Sequence, residues 1–261
     1  MTTPTVVAIG DIHGDLAKLT SVLQSDAYQN ADIRIFLGDI VDGTTQGSLP
    51  CLDIVMGEVA NRPNTYYVRG NHEDALALYL SRLLNHATNP SEYSKPLVKK
   101  YQQATLNELH SWATGEMTLP IAGTATDLVN RFLRFYDAAP QFVRVGMTYF
   151  AHGGWSAGML KAEQPHSSQC LGTGVYTADL SHEQRKAAML GYALRQSPDK
   201  VLEGIHRPPP GRHLVVGHHW DNIPVVKDVT CIDGGAGKSA SGTLLMAAVE
   251  PDSGNMHIHK F

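Results

Sequence analysis

The chain has 261 residues, 43% apolar and 18% charged, enough for one large core, and we expect a single domain over residues 1–261. A formal charge of -4, with no basic cluster beyond the short pieces Lys99-Lys100 and Arg207 to Arg212, excludes the electrostatic footprint of a DNA or RNA binder. No apolar run reaches the roughly 18 residues of a membrane span, Met1-Thr2-Thr3-Pro4 carries no signal-peptide pattern, and Cys51, Cys170 and Cys231 are scattered without a CxxC. A cytoplasmic protein with neither nucleic acid nor membrane as partner is therefore expected.

Thr5 to Ile9 is β-branched and apolar, bounded by Gly10, and predicts a strand ending in Gly10-Asp11-Ile12-His13-Gly14. Leu16, Leu19, Val22 and Leu23 fall at helical spacing, so about residues 15–25 form a crossover helix to a second strand over 33–37. That strand delivers Gly38-Asp39-Ile40-Val41-Asp42, followed by a Gly/Thr/Ser loop to Pro50. A second crossover helix, marked by Leu52, Ile54, Val55 and Val59, leads to a strand over 66–68 and to Gly70-Asn71-His72-Glu73. Carboxylates, imidazoles and an amide just beyond strand ends converge on the rim of an α/β sheet, where such folds build their sites.

From residue 73 to about 138 the apolar residues recur every three to four positions, over 75–85, 93–115 and 127–136, which predicts a helical cap inserted at about 74–140. Strand character resumes over 142–150, with a turn near Gly146-Met147, and delivers Ala151-His152-Gly153-Gly154. Residues 155–212 are rich in Gly, Ser, Gln, Pro and His, with one helix expected over about 182–194. A strand over 213–216 then leads to Gly217-His218-His219, and segments 224–232, 243–249 and 256–259 supply three closing strands.

The residues that carry chemistry point to two divalent ions. A pair of ions about 3.5 to 4 Å apart needs one ligand that bridges them, and Asp39 is the natural bridge. Asp11 and His13, two apart in one loop, can turn to the same ion, and Asn71, His152 and His218 can complete the second. Oxygen and nitrogen donors without thiolate suit Mn, Fe or Zn better than Ca, with Mn2+ the expected metal. Elsewhere the bland reading is expected: Glu73 stabilises the first turn of a helix through its dipole, Asp233 sits in a turn, and His86, His110, His166, His182, His206, His213, His257 and His259 lie in the helical segment, loops or terminal strands, mostly solvated. Gly235-Ala236-Gly237-Lys238-Ser239 is not a P-loop, because Ile232 stands where the first glycine would be.

These five motifs in order, Gly-Asp-Ile-His-Gly, Gly-Asp-Ile-Val-Asp, Gly-Asn-His-Glu, His152-Gly-Gly and Gly217-His218, resemble the calcineurin-like metallophosphoesterases, most closely the branch of phosphoprotein phosphatases and diadenosine tetraphosphatases. The resemblance implies a four-layer αββα sandwich of two mixed sheets flanked by helices. It implies that Asp11, His13 and Asp39 hold one ion and that Asp39, Asn71, His152 and His218 hold the other. His72 would protonate the leaving oxygen and Asp42 would orient it, with Arg69 against the substrate phosphate.

The sequence departs from the family at Gly43, where protein phosphatases carry a phosphate-clamping arginine, so Arg69, Arg144 or Lys238 would have to substitute. His219, where relatives carry Thr, is a second departure. The expected activity is hydrolysis of phosphomonoesters, on phosphoserine, phosphothreonine or phosphotyrosine of protein or on a small phosphoester. A dinucleoside polyphosphate is the alternative substrate, and a silent metal-binding scaffold the alternative of another class.

Overall fold

The computed structural model describes residues 4–43, 47–88, 102–154, 208, 210–218 and 228–261. Strand β1 (Val6–Ile9) is buried along its whole length, as a continuous apolar run at the centre of a sheet requires. It pairs in parallel with β2 (Ile33–Phe36), which pairs in parallel with β3 (Thr65–Tyr67). The crossovers are α1 (Leu16–Gln24), with the short α2 (Asp26–Gln29), and α3 (Ser48–Asn61). On the other side β1 pairs antiparallel with β8 (Leu245–Val249), and β8 with β9 (Met256–Lys260), giving a five-stranded mixed sheet in the order β3-β2-β1-β8-β9.

The second sheet has four strands, β4 (Phe142–Val145), β5 (Thr148–Ala151), β6 (His213–Val216) and β7 (Val229–Cys231), in sequence order. β4 and β5 form a hairpin, while β5, β6 and β7 run parallel. Period-two alternation sorts the first sheet's side chains into two cores. Val6, Ala8, Ile35, Leu37 and Ala247 meet Phe150, Val215 and Ile232 of the second sheet, and Val7, Ile9, Phe36, Tyr67 and Met246 face the helices. Tyr149, Leu214 and Val216, on the far face of the second sheet, are also fully buried, so that face is covered as well. The architecture is two mixed sheets packed face to face and flanked by helices.

Three elements differ from the sequence reading. α4 (Asn71–Thr88) begins at Asn71, four residues before the expected start, so the third motif is the first turn of a helix. α3 begins at Ser48, inside the expected loop, because a proline in a first helical turn gives up only an N–H that has no intrahelical partner. The segment expected as a cap supplies α4, α5 (Gln102–Ala113) and α6 (Ala125–Ala138), whose Leu76, Leu80, Leu128 and Phe132 share one core with Leu49, Leu52 and Val55 of α3. The helix expected over 182–194 and residues 224–227 of the strand expected over 224–232 lie outside the described residues. Among the described residues, no helix is long and apolar enough to cross a membrane.

Candidate metal centre

Five of the parallel strands end in a candidate ligand: β1 leads to Asp11 and His13, β2 to Asp39, β3 to Asn71, β5 to His152 and β6 to His218. These side chains meet. His13 Nε2 is 3.6 Å from Asp11 Oδ2 and 3.7 Å from Asp39 Oδ2, and His152 Nε2 is 3.3 Å from Asp39 Oδ1 and 2.8 Å from Asn71 Oδ1. Asp39, His152 and His218 present ligand atoms within 4.8 Å of one another, as do His13, Asp39 and His72. Asp39 belongs to both groups, the position a bridging ligand occupies.

The backbone at these residues is held in the left-handed region that side chains other than glycine seldom adopt. His13, Asp39, Asp42 and His218 have φ of 46°, 48°, 68° and 64°. Such conformations cost about 1–3 kcal/mol each and persist where surrounding bonds overdetermine them. Asp11 accepts the His218 N–H at 3.0 Å, and Asp39 Oδ1 accepts the His72 N–H at 3.0 Å. Gly217 is forced by that packing, because a Cβ there would stand 2.1 Å from Asp11 Oδ1.

The donor set fits a cation on its own hydrogen bonding. His13 Nδ1 donates to the Val41 carbonyl at 2.9 Å and His152 Nδ1 donates to that of Leu37 at 2.6 Å, so that in the neutral ring each Nε2 carries the lone pair. His152 Nε2 faces two oxygen acceptors, and among the described residues buried His13 Nε2 and Asp39 Oδ2 have no hydrogen-bond partner. Facing acceptors in a buried site repel unless a proton or a metal ion lies between them. Burial pushes His13 down to about 4, keeping it neutral. Burial also works against a charge on His152, but Asp39 and Asp11 hold it up at about 9. Asp39 is held well below the carboxylate range, since the three imidazoles outweigh its burial.

His72 lies beside this cluster, 9% exposed, with Nδ1 3.1 Å from Asp42 Oδ2 and Nε2 3.6 Å from Asp39 Oδ2. The expected imidazole–carboxylate pair is therefore present. Burial lowers its pKa, yet Asp39 and Asp42 raise it above the ordinary value overall.

Three sequence readings change. Glu73 does more than complement a dipole: fully buried, it accepts the N–H groups of Asp39 (2.9 Å), Ile40 (2.7 Å) and Val41 (3.0 Å) and the Tyr67 hydroxyl (2.9 Å). It is the girder of the Asp39 loop. Arg69 spends Nε and Nη2 on the carbonyls of Ala139 and Asp137 and lies over the Tyr136 ring, tying β3 to α6. Arg144 likewise donates to the Gly146 carbonyl. Lys238 does reach the cluster, with Nζ 3.9 Å from Asp233 Oδ2, and Asp11, Asp233 and Asp39 raise its pKa against the effect of burial. Asp233 accepts the Gly235 N–H as a turn residue should. His219 lies outside the described residues.

Acidic and imidazole side chains gathered at the strand ends of a two-sheet α/β sandwich fit the site of a metal-dependent hydrolase. The chain belongs to the calcineurin-like phosphoesterase family, whose profile matches residues 4–236, and it is accordingly a hydrolase of phosphoesters. Among solved structures it is similar to a candidate diadenosine tetraphosphatase (16% identity, TM-score 0.52, covering 99% of this chain and 94% of that one). It is similar also to a protein serine/threonine phosphatase from Saccharomyces cerevisiae (12% identity, TM-score 0.52, 99% and 80%). At these identities the likeness concerns the fold.

Proposed function

We propose that the chain is a two-metal phosphomonoesterase acting on phosphoserine, phosphothreonine or phosphotyrosine of protein. Asp11, His13 and Asp39 would hold one ion, and Asp39, Asn71, His152 and His218 the other, with Mn2+ the expected metal. When bound, the ions supply Lewis acidity toward phosphate and an activated water. His72 supplies what a poor leaving group needs in addition. Its Nδ1–H donates to Asp42, so Nε2 faces the cluster and can deliver a proton to the departing oxygen. That pairing carries the reading, because a scaffold that only stored metal would have no use for an oriented imidazole beside its ligands.

A dinucleoside polyphosphate is the second reading, favoured by Gly43 standing where a phosphate-clamping arginine would be and by the likeness to a candidate diadenosine tetraphosphatase. A panel of p-nitrophenyl phosphate, phosphopeptides and diadenosine tetraphosphate, each with Mn2+, decides between the substrates. The role of His72 has its own test. His72→Asn should lower kcat on a phosphoserine peptide by about 10²- to 10⁴-fold and cost much less on p-nitrophenyl phosphate, whose leaving group departs without a proton. Metal content should stay at two ions per chain. Loss of an ion in His72→Asn would instead make His72 a ligand, as its place in the His13–Asp39 group allows.

A further inference from the structure

The sequence singles out no chemistry in the helical segment, yet α5 reaches the His72–Asp42 pair. The Thr105 hydroxyl, in a side chain 1% exposed, donates to Asp42 Oδ1 at 2.5 Å and accepts the Asp42 N–H at 3.2 Å. The other oxygen, Oδ2, is the one that meets His72 Nδ1. One hydroxyl thus fixes the rotation of this carboxylate, whose backbone sits at φ 68°. One turn on, Glu108, also buried, accepts the N–H groups of Ser48 (3.1 Å) and Leu49 (3.4 Å), and Ser48 Oγ accepts the Asp42 N–H at 3.1 Å. Thr105 and Glu108 therefore pin α5 to Asp42 and to the start of α3 together.

We propose that Thr105 is a positioning residue for the proton donor: it locks Asp42, and through Asp42 the orientation and Nδ1-protonated form of His72. The inference rests on the reading of His72 as the acid. It makes the helical segment a working part of the site, since a side chain 63 positions away from Asp42 in sequence sets the aim of the imidazole.

A residue that only filled space would tolerate an isostere. Thr105→Val keeps the shape and removes the hydroxyl, while Thr105→Ser keeps the hydroxyl. The Val variant, loaded with Mn2+, should lose about 10- to 100-fold in kcat on a phosphoserine peptide, the range for removing a partner that orients a functional group. It should lose less on p-nitrophenyl phosphate, retain both ions, and lose the downfield His72 Nδ1–H proton resonance in the metal-free protein. Thr105→Ser should restore rate and resonance. In a His72→Asn background the Val substitution should cost nothing further. Equal losses on both substrates, an undiminished loss in the His72→Asn background, or failure of Ser to restore function would overturn the proposal. If Thr105→Val does not fold, Thr105→Ala takes its place under the same criteria. Should His72→Asn itself lose equally on both leaving groups, the acid reading fails; an unchanged Nδ1–H resonance in Thr105→Val then still separately rejects the positioning role.

Discussion

Gly43 and Gly237 both press on the carbonyl of His13. A Cβ on Gly43 would lie 1.7 Å from that oxygen and one on Gly237 2.1 Å from it, so neither position admits a side chain without moving a candidate ligand. An arginine at position 43 is therefore excluded by main-chain packing. Lys238, next to Gly237, brings the cation to the cluster instead. Against a bound phosphate, one hydrogen bond to a charged group is worth about 1.5–3 kcal/mol, so Lys238→Ala should raise KM for p-nitrophenyl phosphate about 10- to 100-fold with metal content intact. Gly43→Arg should lower Tm and metal content and bring no gain in KM. A Gly43→Arg protein that is stable, fully metallated and tighter for substrate would refute the steric account.

At the scale of elements, Glu73 joins α4 to the loop after β2. Each of its oxygens receives two donors, Asp39 N–H and Tyr67 O–H on one, Ile40 and Val41 N–H on the other. Glu73→Gln replaces one oxygen with an NH2 that must confront two donors, leaving buried groups unsatisfied at about 1–3 kcal/mol each. Measured in EDTA, so that metal loss cannot contribute, thermal unfolding should come several degrees earlier; an unchanged Tm would remove Glu73 from this role. The sequence held a signal for it: Glu73, Leu76, Ala77 and Leu80 share one face at helical spacing, and all four are buried. The strands and candidate ligands were legible because β-branched runs ending in Gly are local features. The start of α3 was not, since Gly, Ser and Pro there also spell a loop. Thr105 and the tethering of Arg69 depend on contacts between distant segments, which no local pattern encodes.

Across the whole molecule the two sheets contribute unequally to the proposed centre. The first ion would be held by Asp11, His13 and Asp39, all from strands of the five-stranded sheet, whereas the second would join Asp39 and Asn71 to His152 and His218 of the four-stranded sheet. The second ion would thus be a clasp between layers that also meet through apolar side chains such as Ile35 and Phe150 and through the bonds of His152 Nδ1 to the Leu37 carbonyl and of the His218 N–H to Asp11. A ligand that binds only the folded state stabilises it by about 2.7 kcal/mol at a concentration 100 times its dissociation constant, so Mn2+ added to metal-free protein should raise Tm in proportion to the sites filled. His13→Ala removes a ligand from the first ion and His152→Ala one from the second, and each should forfeit part of the shift. Asp39→Asn weakens both sites, taking a charge from two ions at once, and should forfeit most of it. Metal content measured on the same samples assigns each loss to a site, with EDTA-treated protein as the reference for each variant. A thermal shift in Asp39→Asn as large as in His13→Ala would show that Asp39 does not bridge.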